Sequence, residues 1–239
     1  MRLEKVCSLI CAYNEEKTIE SIVSGAKAYA DVAVVDDGSR DKTAAIAEKA
    51  GAFVLRHEAN RGKGAALRTG FKYFLQHDYN AIITLDADGQ HLPNEIPLFA
   101  EKLSEGYEVA VGKRDFRIAS VPFTRKIGNL LDSCILSKLT GRNIYDAQSG
   151  YRMFKRHVIE KYYAKTEFCE NEFVYEPELL VKMAMDNLKI GWVDITTVYS
   201  KELESKMKPF RHTLKSVKIY SKCLGGKINK LLMKRFDEL

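Results

Sequence analysis

The feature that most constrains the fold is an alternation of short apolar runs with helix-like patterns over the first 112 residues. The apolar runs are rich in β-branched residues and nearly continuous, which is typical of strands buried on both faces of a parallel sheet. The pattern predicts an α/β fold with a mostly parallel, Rossmann-like sheet flanked by helices. Its predicted strands are "KVCSLICA", "VAVVDD", "AFVLR", "AIITLDAD" and "EVAVGK", and its predicted helices are 18–29, 42–50, 63–76 and 94–105.

A polar cluster follows each predicted strand. In chain order the clusters are "YNEE", "DDGS", "NRGKG", "DADGQH" and "KRD". Ligands of such sheets bind beyond the carboxyl ends of the strands, so we expect a binding site built from these clusters.

Each cluster also has a simpler interpretation. "DDGS" has the composition of a turn, in which Ser39 or Asp41 caps the helix at Lys42. "NRGKG" lacks the spacing of a phosphate-binding P-loop. "DADGQH" fails as an EF-hand loop, because His91 and Pro97 occupy the positions that need glycine and glutamate. The argument for a site therefore rests on all the clusters lying at one sheet edge.

Length and composition set the remaining limits. The chain has 239 residues and 46% hydrophobic residues, which suits one large domain or two small ones. Its five cysteines are scattered, and no secretory leader precedes the first strand, so we expect reduced thiols and a cytoplasmic location. Cys7 and Cys11 lie on one face of a predicted strand and are interpreted as core residues rather than half of a zinc site.

Positive charge is concentrated in the C-terminal tail. From Lys201 onward there are 11 lysines and arginines against 4 acids, a net charge of +7, which leaves −1 for residues 1–200. Apolar residues recur there at steps of three and four with lysines between them, which predicts a basic amphipathic helix interrupted at "GG". Such a helix either packs on the domain or a second subunit, or lies in an anionic membrane surface. No run approaches the roughly 20 apolar residues needed to cross a bilayer.

Six motifs in order carry a family resemblance. "CAYNEE", "VVDDGSRDKT", "NRGKGAALRTG", "LDADGQH", "DAQSGYRMFKR" and "ESKM" resemble family 2 glycosyltransferases of the GT-A fold, in particular the dolichol-phosphate mannosyltransferase-like branch. The resemblance covers about residues 5 to 208, and it departs from the family at Cys11, where relatives usually have proline. It implies a GT-A domain over residues 1–208, followed by the amphipathic tail at 209–239.

The resemblance implies a donor site for a nucleotide-diphosphate sugar. Asp88 and Gln90 would ligate Mg²⁺ or Mn²⁺, with Asp86 facing the ribose or the metal's surroundings. A hard divalent cation held by oxygen ligands neutralises the charge of the leaving diphosphate, which accounts for carboxylates at a strand end. His91 is interpreted as a helix-entry residue, and Lys63, like Arg114, as a site cation or a solvated surface cation. The implied nucleotide-binding residues are Cys11, Tyr13, Glu15, Val35, Asp37, Lys63, Asp86, Ala87 and Lys206.

The resemblance also implies an acceptor site. Asp146, in "YDAQSGYRMF", is the candidate catalytic base for inverting displacement by an acceptor hydroxyl. If the acceptor is a lipid phosphate, it is already anionic, and Asp146 would orient groups instead. Arg114, Arg125 and Arg152 are candidates for neutralising an acceptor phosphate.

The sequence thus predicts a metal-dependent inverting glycosyltransferase on the cytoplasmic membrane face. The expected acceptor is a polyprenyl phosphate, and the expected partners are a nucleotide sugar and an anionic membrane rather than nucleic acid, with homo-oligomerisation left open. Three alternatives remain: a hydroxyl acceptor, a sugar nucleotidyltransferase, and a non-catalytic nucleotide-sugar or membrane-binding module.

Overall fold

The protein folds around a seven-stranded sheet with helices on both faces. The computed structural model describes residues 2–115, 123–165 and 175–196. The strand order is β3-β2-β1-β4-β6-β5-β7. In chain order the strands are β1 (Val6–Ala12), β2 (Asp31–Asp36), β3 (Phe53–Arg56), β4 (Ala81–Asp86), β5 (Val109–Arg114), β6 (Arg152–Lys155) and β7 (Ile190–Ile195).

Helices connect these strands, and the first four lie where the periodicity predicts. In chain order they are α1 (Ile19–Lys27), α2 (Thr43–Lys49), α3 (Lys63–Leu75), α4 (Ile96–Ser104), α5 (Phe123–Thr140), α6 (Arg156–Lys165) and α7 (Tyr175–Met185), with a 3-10 turn (Pro93–Glu95) leading into α4. The five predicted strands and four predicted helices are all present, with ends shifted by a few residues at most. The mostly parallel α/β fold is therefore confirmed.

One strand runs against the others. β6 pairs antiparallel with both β4 and β5, whereas the β1–β2, β1–β4, β2–β3 and β5–β7 pairs are parallel. Because β6 is reversed, its N-terminal end lies at the edge where the parallel strands have their carboxyl ends. Arg152, the first residue of β6, is paired with Thr84 on one side and Val111 on the other. The "DAQSG" motif that precedes β6 is thereby brought to the same edge as the "DADGQH" loop after β4.

Both faces of the sheet are buried in apolar clusters. On β1, Cys7 and Leu9 pack into one cluster and Ile10 into the other, as expected for a strand covered on both sides. Cys7 and Cys11 do lie on one face of β1, where Cys7 is in the core and Cys11 packs against it. Gly70 of α3 lies directly over Leu9, since a Cβ there would fall 2.2 Å from Leu9 Cδ1.

Within the described ranges, no helix combines the length and the apolar character required to cross a membrane. The predicted tail, residues 209–239, lies outside the described residues, as does Lys206.

Candidate active site

The loops after β1 and β2 are bound to each other at the carboxyl edge of the sheet. The Asn14 amide donates to Ser39 Oγ at 2.9 Å, and the Glu15 amide donates to Thr43 Oγ1 at 2.8 Å. Asn14 adopts the left-handed conformation, with φ of 54°, that Asn tolerates better than most residues. These bonds fix the backbone that carries Tyr13 and Glu15, both half-buried.

Asp37 organises the loop after β3. Its Oδ1 accepts a hydrogen bond from the Arg61 amide at 2.9 Å and lies 2.6 Å from His57 Nδ1, and its Oδ2 accepts from the Gly62 amide at 2.8 Å. The carboxylate is buried, and His57 is buried beside it with Nε2 2.9 Å from Thr69 Oγ1. Asp37, predicted to contact the nucleotide, therefore also fixes the loop that ends where α3 begins.

Lys63, the first residue of α3, lies between two carboxylates. Its Nζ is 2.5 Å from Asp86 Oδ1 and 2.9 Å from Glu176 Oε1. Burial alone would lower the pKa of the Lys63 ammonium, but the two carboxylates outweigh burial and raise it above the ordinary value. Burial opposes ionisation of Asp86 too, and the neighbouring Lys63 prevails, which lowers the pKa of Asp86 to about 2. The alternative of a solvated surface cation is thus wrong for Lys63.

Asp88 and Gln90 form the other half of the loop after β4. Asp88 Oδ1 accepts from the Gln90 amide at 3.0 Å, and its Oδ2 accepts from Gln90 Nε2 at 2.9 Å. Burial and then the negative charge of Asp86 raise the pKa of Asp88 to about 6. Because burial and a second carboxylate both disfavour the negative charge of Asp88, a cation bound beside it would be stabilised.

The donor set fits a divalent ion that is completed by its substrate. In the described part of the chain, no three His, Cys, Asp or Glu side chains are grouped as a metal site. Asp88 and the Gln90 side-chain oxygen offer two hard oxygen ligands, and Mg²⁺ in phosphate-transfer sites commonly uses one or two protein ligands together with phosphates and water. These two oxygens would therefore hold a divalent ion only together with ligands from outside the protein, such as phosphate oxygens and water.

His91 supports this loop from within the protein. Its Nδ1 accepts a hydrogen bond from the Asp86 amide at 3.0 Å, and its ring stacks on Tyr151 with centroids 4.8 Å apart. Burial lowers the pKa of His91 to about 4, which agrees with an imidazole that accepts through Nδ1. The imidazole is thus neutral, and it fixes the backbone of Asp86.

Asp146 and Arg114 form a closed ion pair. Arg114 Nε lies 2.7 Å from Asp146 Oδ2, and Arg114 Nη2 lies 2.9 Å from Asp146 Oδ1. The Asp146 carboxylate also accepts from the amides of Arg114 and Gln148, and its exposed fraction is 0%. Both oxygens of the predicted base are therefore occupied, and Arg114 is not a solvated surface cation.

Arg152 is a structural residue rather than a phosphate ligand. Its side chain is buried and donates to the carbonyl oxygens of Ser149, Glu176 and Ala147. It therefore joins the "DAQSG" loop to the start of α7, and its availability for an acceptor phosphate was wrongly predicted. The side chain of Arg125 lies outside the described part of the chain.

Three other predicted nucleotide-site residues are placed by β1, β2 and β4. Cys11 is paired in register with Val35 and Asp86, and burial raises the pKa of its thiol. Val35 is fully buried, so its side chain belongs to the core rather than to a pocket wall. Ala87 is buried too, and its carbonyl accepts from Thr18 Oγ1 at 2.6 Å.

In its first half, helix α5 buries two polar residues and exposes two leucines. Asp132 Oδ2 accepts from Gln148 Nε2 at 2.6 Å, and Asn129 Oδ1 accepts from the Gln148 amide at 3.3 Å. On the opposite face, the exposed fraction is 69% for Leu130 and 50% for Leu131. The buried polar face therefore supports the loop that carries Asp146.

Two site residues were missed by sequence reasoning. Glu176 lies in "YEPELL", where an acid in a mostly apolar helix start was the available signal. His57 directly precedes "EANRGKG", and a histidine immediately after a predicted strand was its signal. The partners of both residues come from other elements, so neither signal identified a contact.

Comparison with known proteins identifies the family of this chain. Residues 7–163 match the family model described as glycosyl transferase family 2. An uncharacterized protein of Methanocaldococcus jannaschii is 34% identical, over 94% of this chain and 93% of that protein. The UDP-N-acetylglucosamine–dolichyl-phosphate N-acetylglucosaminyltransferase of Methanococcus voltae is 30% identical, over 94% of this chain and 96% of that protein.

The fold also matches a solved structure. Glucosyl-3-phosphoglycerate synthase from Mycobacterium tuberculosis, crystallised with Mn²⁺, uridine diphosphate and phosphoglyceric acid, superposes with a TM-score of 0.73 at 18% identity, over 92% of this chain and 78% of that chain. At this identity the match concerns the fold alone. The family model and the two relatives carry the assignment, and the chain belongs to glycosyl transferase family 2.

Proposed function

We propose that this glycosyltransferase moves a sugar, with inversion, from a nucleoside-diphosphate donor to a polyprenyl phosphate. The observation that carries the proposal is the closed Asp146–Arg114 ion pair. A carboxylate whose two oxygens already accept four N–H groups is poorly placed to remove a proton from an acceptor hydroxyl. An acceptor phosphate needs no base, because it is anionic near neutral pH.

The donor side is assigned to the loop after β4 and to Lys63. Asp88 and Gln90 would hold Mg²⁺ or Mn²⁺, which when bound neutralises the negative charge that develops on the leaving diphosphate. Lys63 adds a positive charge at the start of α3, where its ammonium lies 2.5 Å from Asp86 Oδ1. Tyr13, Glu15, Asp37 and Cys11 surround the nucleotide in this proposal.

The acceptor side is assigned to Arg114. Asp146 orients its guanidinium through two parallel hydrogen bonds, and the Arg114 side chain remains 15% exposed. A phosphate that approaches this edge would meet a cation whose direction is already fixed, so little entropy is lost on binding.

A lipid acceptor agrees with the outward face of α5. Leu130 and Leu131 are exposed on a helix whose inner face holds Gln148, two residues after Asp146. An acceptor with a hydrocarbon chain would bring its apolar part to such a surface. The 30% identical relative named for a dolichyl-phosphate acceptor supports the same class.

We further propose that the protein works on the inner face of a membrane. The basic tail from Lys201 onward supplies an attraction to anionic lipids of up to about 1 kcal/mol per lysine. Lys206 would close over the diphosphate, as the "ESKM" motif resembles the family's cation at that place.

A donor panel tests the function directly. Purified full-length protein is incubated with UDP- and GDP-sugars, Mn²⁺ and a polyprenyl phosphate, and the released nucleoside diphosphate is measured. We expect release that depends on the lipid phosphate and is lost in excess EDTA and in Asp88→Ala. Release that requires a soluble sugar or other hydroxyl acceptor, and not the lipid phosphate, would instead support the hydroxyl-acceptor alternative.

A further inference from the structure

We propose that Glu176 is a positioning residue of the donor site, whose carboxylate holds the Lys63 ammonium in place when Asp86 turns toward a divalent ion. The inference rests on the proposed function, because it assigns Lys63 to the donor diphosphate. Glu176 belongs to α7, in the second half of the chain, whereas Lys63 and Asp86 belong to the nucleotide half.

Within the part of the chain that the structure describes, Lys63 has two carboxylate partners, and only one of them lies next to the proposed metal ligands. Asp86 is two residues from Asp88 and within reach of a cation held there, so a bound ion would compete with Lys63 for the Asp86 oxygens. Glu176 lies on the other side of the ammonium at 2.9 Å. It remains as a counter-ion for Lys63 when Asp86 is drawn away.

Hydrogen bonds to the backbone fix the positions of Lys63 and Glu176. The Gly62 amide, one residue before Lys63, is bound by Asp37 at 2.8 Å. The Glu176 carbonyl accepts from Arg152 Nη1 at 2.6 Å, and Arg152 is buried at the start of β6. The Glu176 backbone is therefore held by a hydrogen bond from the first residue of β6, and its carboxylate contacts Lys63 from that position.

Gly150 leaves the space that this arrangement needs. A Cβ at Gly150 would lie 2.6 Å from Glu176 Oε1, 2.9 Å from Lys63 Nζ and 3.3 Å from Asp86 Oδ2. Any side chain at this position would displace at least one of the three charged groups. The glycine of "DAQSG" thus brings bare backbone against the ion cluster formed by Lys63, Asp86 and Glu176.

The net charge of the cluster gives a second reason for a carboxylate at position 176. With Asp88 ionised, the side chains of Asp86, Asp88, Glu176 and Lys63 sum to a charge of −2. A divalent cation balances that charge, and the donor diphosphate then meets a neutral site that contains a fixed ammonium. Without the Glu176 charge, the sum is −1, and Asp86 is then the only carboxylate of the described residues in contact with Lys63.

The test compares Glu176→Gln with Glu178→Gln in the full-length protein. Binding of UDP and of GDP, each with Mn²⁺, is measured by calorimetry. The nucleotide that the wild type binds more tightly is used as the probe. Glu176→Gln should weaken it by about 10- to 100-fold, the usual effect of losing a group that orients a metal-site residue. Glu178 is a buried carboxylate on the same helix turn, paired with Lys182 at 2.7 Å, so Glu178→Gln reports any general loss in α7.

A double-mutant cycle with Lys63→Met separates positioning from packing. If Glu176 acts through Lys63, Glu176→Gln should add no further loss of nucleotide affinity in the Lys63→Met background. Equal affinity in Glu176→Gln and wild type, or fully additive losses, would overturn the inference. Gly150→Ala disturbs the same cluster from the opposite side and should weaken the probe similarly, which keeps the inference testable if Glu176→Gln folds poorly.

The two proposals fail in different ways. A wild type that binds nucleotide but transfers no sugar to polyprenyl phosphate contradicts the proposed function and leaves the role of Glu176 to be decided by the binding cycle. A wild type that transfers sugar, with Glu176→Gln unchanged in nucleotide affinity and donor KM, contradicts the role of Glu176 alone.

Discussion

At the scale of single residues, two neighbouring carboxylates differ in pKa because Lys63 forms an ion pair with only one of them. Lys63 holds the pKa of Asp86 at about 2, whereas burial and the charge of Asp86 raise the pKa of Asp88 to about 6. A protonated carboxyl is a poor metal ligand, so Asp88 should bind a divalent ion well above pH 6 and lose it as the pH falls through that value.

This difference predicts the pH dependence of Mn²⁺ binding in the presence of the nucleotide. Affinity should fall by about tenfold per pH unit well below pH 6, since one proton competes with one metal ion. Without metal, the raised pKa of Asp88 has the opposite effect on protein stability. Because the folded pKa exceeds the unfolded value of 3.8, the contribution of Asp88 to the free energy of unfolding falls as the pH rises from about 4 to 6. Calorimetric titration between pH 5 and 8 checks the first statement, and a pH-independent affinity over that range would contradict it.

Asp146→Asn tests whether the reaction needs a base. With a phosphate acceptor the variant should lose less than the roughly 100-fold that marks the lower limit for a missing general base, because its main effect is to loosen Arg114. The acceptor KM should therefore rise more than kcat falls. The measurement is steady-state transfer to polyprenyl phosphate, with nucleotide binding as the control for the donor site. Complete loss of kcat with intact nucleotide binding would restore Asp146 as the base.

At the scale of helices and strands, local sequence predicted the early elements, whereas the direction of β6 and the contacts within the site depend on residues far apart in the chain. The strands β1 to β5 were predictable because each is a continuous apolar run, and α1 to α4 because each has a helical period. The reversal of β6 was not predictable, since its four residues carry no mark of direction. Asp86, Asp88 and Asp146 were identified by their motifs, but Glu176 was missed because its contact with Lys63 joins two distant elements.

Helix α5 shows why pattern alone misleads. Leu136 of this helix is in the core as expected, but Asn129 and Asp132 are buried while Leu130 and Leu131 are exposed. The usual assignment of apolar residues to the core therefore fails at these four positions. These two polar residues are buried where they accept hydrogen bonds from Gln148, in the loop that carries Asp146.

The exposed face of α5 can be tested by replacing Leu130 and Leu131 with serine. Because neither side chain packs in the core, the free energy of unfolding should change by only about 0.5 kcal/mol per substitution. If this face enters lipid, liposome affinity should fall by up to about 100-fold, the effect of withholding two leucines from an apolar phase. Leu98→Ser is the matched control, since Leu98 is an exposed leucine of α4. Equal flotation of the double variant and this control would contradict a lipid-facing α5.

At the scale of the whole molecule, charge and catalysis are separated along the chain. Deleting residues 210–239 removes eight basic and two acidic residues and leaves a net charge of zero. We expect the truncated protein to bind nucleotide with unchanged affinity but to lose flotation with anionic liposomes. Added salt should weaken flotation of the full-length protein, because the attraction is screened over about 8 Å at physiological ionic strength. Unchanged flotation after truncation would contradict a membrane role for the tail.

The reversed strand also sets the order in which the molecule can be completed during synthesis. β1 to β4 can assemble from the first 86 residues, but the outer edge of β4 pairs with residues 152–155. Until that segment leaves the ribosome, the nascent chain presents an apolar strand with unpaired N–H and C=O groups, which is a template for intermolecular pairing. Chains interrupted between β4 and β6 are therefore the species most exposed to aggregation, and the cell's folding machinery is needed most in that interval.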